Sequence, residues 1–253
     1  MKIVVILVAA YGILNLLMYK RYGNKFMCFS PPVMLATFLI EFALLFYVLW
    51  RYKLTPLTRT IAVFIGCLGI FQLAEYMICG GLGLGGNVWA RIGYVSITLL
   101  PALGIHILAL LAGVKAKKLL TAAYGSAFLF AGYFAFGPSA VGLEQCAPNY
   151  AVFALGGIDT LLYAAFYYGW LLAAVGLAAH WAKQKPKKAA ALRWMAIGYA
   201  SFILPTTVAN IIDPATIAGI PSIMCGFAIL IAIIIVWRVL PLATNKSHIR
   251  KRS

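Results

Sequence analysis

Along this chain, long apolar runs alternate with short polar connections. Eight runs stand out, at 3–19, 31–50, 57–79, 90–113, 118–136, 152–182, 191–212 and 216–240. A helix that crosses a bilayer needs roughly 20 predominantly apolar residues, and each run is near or above that length. The pattern predicts an all-α, polytopic transmembrane bundle of about eight helices, seven plus one at the N-terminus. The first run is the shortest, and Lys2 precedes it as in a signal peptide. The bulky, basic Met18-Tyr19-Lys20-Arg21 that follows offers no small-residue cleavage site, so a retained helix is expected.

Composition sharpens this picture. Of 253 residues, 64% are hydrophobic and 10% charged, whereas a soluble domain carries about 25% charged residues. Once the apolar runs are removed, no stretch of soluble-domain composition is left. The expectation is one integral membrane domain over 1–243 and a basic cytoplasmic tail over 244–253.

The net charge of +16 does not imply nucleic acid. Lys and Arg cluster in alternate connections: Arg51, Lys53 and Arg59; Lys115, Lys117 and Lys118; Lys183, Lys185, Lys187, Lys188 and Arg193; and Arg238 with the tail. Cytoplasmic loops retain such positive charge. The connections 80–89, 137–151 and 213–215 between them are assigned outside, and both termini inside. Lys20, Arg21 and Lys25 break the rule, because they fall in an outside loop. In this orientation Glu41 is at mid-depth, Glu75 and Asp159 lie one to two turns below the outer face, and Glu144 and Asp213 are in outer loops.

Acids at such depth are expensive. A charged side chain at the centre of a spanning helix costs about 2.5–3.5 kcal/mol on insertion scales, so it faces protein or water. Gln72, Glu75, Tyr76 and Cys79 share one helix face by three- and four-residue spacing. Arg91 and Tyr94 enter the next helix at comparable depth. Glu75 and Arg91 then either form a polar site open to the outside or an ion pair that pins two helices. Asp159, Tyr163, Tyr167 and Trp170 make a second stripe, an acid above aromatic residues. Aromatic walls with an acid suit a cationic or amphipathic ligand, and the alternative is an interior stripe whose hydroxyls bond neighbouring backbone.

His106 is the only one of three His in mid-helix. It is a candidate proton relay or haem ligand, with His180 the conceivable second axial ligand, or a hydrogen-bonded core residue. No cofactor is identified beyond that candidate. Cys28, Cys79 and Cys146 fall at the outer face, where any two can pair, and Cys67 and Cys225 read as small apolar residues. No CxxC pair or zinc-ligand spacing occurs. The GxGxxG match at 81–86 follows a membrane helix instead of a strand, and is read as a turn.

Two resemblances add to this reading. From Leu35 onward the seven runs resemble the N-terminal seven-helix sensor region of bacterial histidine kinases. The closest passages are Ala90-Arg91-Ile92-Gly93-Tyr94 through Leu100-Pro101 to His106, and Ile220-Pro221-Ser222. That resemblance implies a sensory role, and because no kinase follows the last helix, output through a separate partner. Met27-Cys28-Phe29-Ser30 followed by Gln72-x-x-Glu75 is similar to a bacterial membrane-protein family that begins MCFS and carries a Q-x-x-E helix, although here that helix comes one later. This second family implies no activity.

The expected function is a receptor-like or sensory protein of the bacterial inner membrane. It would bind a small or lipidic ligand in the outer half of the bundle near Gln72, Glu75, Tyr76, Arg91, Tyr94, Asp159, Tyr163, Tyr167 and Trp170, and signal to a membrane or cytoplasmic protein. The alternatives are a structural subunit of a larger complex, an ion-coupled transporter, or a membrane enzyme acting on a lipid or quinone. The partners expected are the bilayer and that protein, and nucleic acid is excluded.

Overall fold

The computed structural model describes residues 31–79, 86–137, 140–146, 151–155 and 160–244. Among them are seven helices long and apolar enough to cross a membrane, so the chain is an all-α helical membrane bundle. The expected helix at 3–19, Cys28, the turn at 81–85, Asp159 and the tail after 244 lie outside the described residues.

The first six spans are α1 (Pro31–Arg51), α2 (Pro56–Cys79), α3 (Gly86–Ala112), α4 (Lys117–Phe136), α5 (Thr160–Gln184) and α6 (Ala189–Ile212). The seventh is α7 (Ile220–Ile234), prolonged by a π-helical turn (Ile235–Val239) and a last α-helical turn, Leu240–Ala243. The π turn comes just before Pro241, which has no N–H to give to the carbonyl four residues back.

The helix ends follow local chemistry. Thr55 caps α2: the Thr58 amide donates to the Thr55 hydroxyl at 3.3 Å, the Thr55 amide donates to the Thr58 hydroxyl at 2.7 Å, and Pro56 opens the helix. Helix α3 stops at Gly113, whose φ of 66° only glycine takes without strain. The amides of Gly113 and Val114 turn back to the carbonyls of Leu110 and Ala109 and satisfy two of the open acceptors there.

Three helices form the interior. In α3, 78% of the span window is buried, with 67% for α7 and 61% for α2, against 22–28% for the other four. A helix apolar on all sides suits an interior position. The outer four present large apolar side chains such as Phe46, Phe128, Leu161 and Ile211. Helix α2 approaches α1 closely at Gly69, where a Cβ would strike the Phe42 ring at 2.7 Å. Trp50 and Trp237 are exposed near helix ends, and Trp181 is buried in the core.

One part of the chain departs from the helical expectation. Between α4 and α5 lies an antiparallel hairpin, β1 (Val141–Cys146) and β2 (Ala151–Leu155), with a bulge between Leu143 and Gln145. The apolar run 152–182 therefore begins as a strand, and the helix starts only at Thr160. A short apolar run alone does not separate a buried strand from a helix. A Cys79–Cys146 disulfide ties this hairpin to the end of α2, choosing one of the pairings that the sequence left open. The hairpin and the disulfide mark one end of the bundle. The basic connections at Lys53, Lys115 and Lys185 mark the other.

Candidate functional site

Among the described residues a cavity of about 700 Å³ lies at the hairpin end. Small-molecule sites typically span about 300–1,000 Å³. Tyr94 and Ile97 of α3 form its inner wall, and strand β2 closes one side with Val152 to Leu155. Helix α5 brings Tyr163, Tyr167 and Tyr168, and α7 with the 3-10 turn before it (Pro214–Gly219) brings Ile217, Pro221, Met224 and Cys225. Among the described residues no charged side chain lines the space.

The aromatic wall is rigid. The Tyr94 ring is 5.0 Å from Phe134, 5.2 Å from Phe153 and 5.8 Å from Tyr163, centroid to centroid. This cluster joins α3, α4, β2 and α5 by edge and tilted contacts, the geometry that aromatic quadrupoles favour. The Tyr163 hydroxyl meets that of Thr98 at 3.0 Å. Tyr167 and Tyr168 also turn toward the space, and neither phenol bonds another described residue. The cavity thus offers apolar and aromatic surface, with polar groups supplied by tyrosines.

The residues expected to form the site divide into three groups. Tyr94, Tyr163 and Tyr167 line the cavity. Gln72 and Glu75 are buried in the interior and do not line it. Tyr76, on the same helix as they are, is half-buried and likewise does not line it. Ser222 of α7 is a neighbour of the Glu75 carboxylate, and the Ser222 oxygen accepts from the Ala151 amide of β2 at 3.3 Å. Trp170 turns to α4 and donates its indole N–H to Ser126 at 3.0 Å.

Arg91 does not pair with Glu75. Its guanidinium donates to the carbonyls of Ala135 at 2.9 Å and Gly137 at 3.0 Å. Those are open acceptors at the C-terminal end of α4, so Arg91 acts as a helix cap. Of the two readings of the Glu75–Arg91 pair, neither holds. Matching depth on sequential helices does not bring side chains together when they leave different faces of the bundle.

His106 faces Tyr124 of α4, with Nδ1 3.0 Å from the phenol oxygen. That hydrogen bond fits the core-residue reading. Among the described residues no three His, Cys, Asp or Glu side chains converge to hold a metal ion.

Sequence reasoning missed Cys225, Met224, Ile217 and strand β2 as cavity walls. All are apolar or nearly so, and in a chain this apolar they carry no signal that separates a ligand wall from packing. No known protein family, no curated protein and no solved structure matches the chain.

Proposed function

We propose that this is a receptor-like integral membrane protein that binds a small lipidic ligand between α3, α5 and α7. One observation carries the reading: a space of about 700 Å³, walled among the described residues by apolar and aromatic side chains. Such walls favour an apolar body, and the Tyr167 and Tyr168 phenols suit a single hydroxyl, carbonyl or carboxyl oxygen on it. Glu75, one of the acids expected for a cationic ligand, does not line the cavity.

The orientation rests on charge. The basic end is placed in the cytoplasm and the disulfide end on the oxidising side of a bacterial inner membrane. Ligand then enters at the outer half, and β2, which is both a cavity wall and bonded to Ser222, relays occupancy to α7. The π turn and the basic end of α7 present the change to a separate protein.

A photoactivatable fatty acid carrying a diazirine tests this. It should crosslink to peptides of α5 and α7, and Ala164→Trp, which fills the cavity from its own wall, should abolish the crosslink while the protein stays monodisperse. Crosslinking confined to the outer faces of α1 and α4, or unchanged in that variant, removes the proposal.

A further inference from the structure

A second site lies apart from the cavity, and it does not rest on the ligand reading above. Glu41 of α1 and Glu75 of α2 are 0% and 1% exposed. Both carboxylate oxygens of Glu41, Oε1 of Glu75 and Nε2 of Gln72 have no hydrogen-bond partner. These orphans are neighbours. A Cβ on Gly69 would sit 3.7 Å from the Glu41 Cβ, so Glu41 packs on α2 at that level. Gln72 and Glu75 follow Gly69 at successive three-residue steps toward the C-terminal end of α2. The side chain of Glu41 leans toward the N-terminus of α1, which is the direction of Glu75 because α1 and α2 are antiparallel. Gln72 lies between the levels of the two carboxyls.

Among the described residues nothing balances this pair. No Lys, Arg or His among the described residues bonds either acid. Of the elements packed on them, α3 contributes Tyr94 and α7 contributes Cys225 and Ser222. None of these carries positive charge. Two carboxylates sealed in a bundle interior require a counter-charge.

We propose that Glu41, Gln72 and Glu75 form a monovalent-cation site, occupied by a proton or a sodium ion held by the carboxyl oxygens. The Gln72 amide donates to whichever oxygen the cation leaves free. Ser222 connects the site to the hairpin through Ala151, so occupancy of the cation site bears on the wall of the cavity.

Dicyclohexylcarbodiimide is the probe. It adds to a carboxylic acid: the carboxyl oxygen bonds the central carbon, the acid proton moves to a nitrogen, and the O-acylisourea rearranges to a stable N-acylurea. The full-length protein is treated in mildly acidic and in alkaline buffer, each with sodium chloride or choline chloride, and its peptides are analysed by mass. Labelling of Glu41 or Glu75 that falls several-fold in alkali and ignores sodium identifies the proton. Labelling that sodium, and not choline, suppresses several-fold identifies sodium.

Absence of label on both acids in every buffer overturns the proposal, as does label that neither alkali nor sodium changes. A second measurement removes the dependence on reagent access. The wild-type melting temperature should fall in alkaline, sodium-free buffer, and the Glu41→Gln/Glu75→Gln double variant should lose that response. Equal responses in the two proteins also overturn the proposal.

Discussion

The Tyr163 hydroxyl donates to Thr98 Oγ1 across 3.0 Å, and the direction of that bond is set by a second one. Thr98 spends its own proton on the Tyr94 carbonyl at 2.6 Å, so the phenol must supply the proton between the two hydroxyls. The Tyr163 oxygen keeps acceptor capacity on the cavity side. Tyr163→Phe should destabilise the protein by about 1 kcal/mol, the usual net worth of a hydrogen bond. Thr98→Val should cost more, about 1–3 kcal/mol, because it strands a buried phenol. A double-mutant cycle read by thermal unfolding should be non-additive, and additive costs would mean that the bond contributes nothing.

Arg91 predicts a separation of stability from binding. Its two hydrogen bonds hold the last carbonyls of α4 next to the hairpin. Arg91→Gln should cost about 1–3 kcal/mol by leaving charge-assisted bonds unmade. It should leave crosslinking of the photoactivatable fatty acid intact once the protein is folded. A variant of normal stability with lost crosslinking would make Arg91 a ligand contact instead.

The disulfide joins residues 67 apart in sequence. Cys79→Ser should lower stability by about 2–4 kcal/mol, as loss of a native disulfide typically does. Because β2 is a wall of the cavity, the same variant should also weaken the crosslink. Cys67→Ser serves as the comparison, since its free thiol is buried and does not line the cavity. Equal effects at Cys67 and Cys79 would show that the hairpin needs no tether.

Much of the helical frame was legible in the chain because a membrane imposes length and apolarity together. The run at 118–136 and the helix Lys117–Phe136 differ by one residue at the start. The hairpin was not legible, because Ala151–Leu155 is as apolar as the helix after it and only Gly156-Gly157-Ile158-Asp159 separates them. The Gln72–Glu75 stripe could be read from spacing. Its meeting with Glu41 could not, since that depends on how α1 rotates to place Phe42 against Gly69. Arg91 carried a strong chemical signal and pointed to the wrong partner, because charge complementarity is blind to a row of backbone carbonyls.

The last prediction concerns Tyr199, the one buried orphan outside the acid cluster among the described residues. Its hydroxyl faces Gly104 of α3 and has no partner. A methyl group at Gly104 would land on that oxygen, and the ring carbon behind it would be only 3.2 Å away. Gly104→Ala should therefore cost about 1–3 kcal/mol, the range for overpacking a close-packed interior. Tyr199→Phe should be neutral or stabilising, because it removes a buried hydroxyl that makes no hydrogen bond. The same change removes the atom that the new methyl strikes, so Gly104→Ala in the Tyr199→Phe background should recover most of the loss. Thermal unfolding of the four proteins in detergent measures this directly. If Tyr199→Phe is itself strongly destabilising, the phenol has a partner such as a bound water, and the contact between α3 and α6 is polar where the bare side chains leave it apolar.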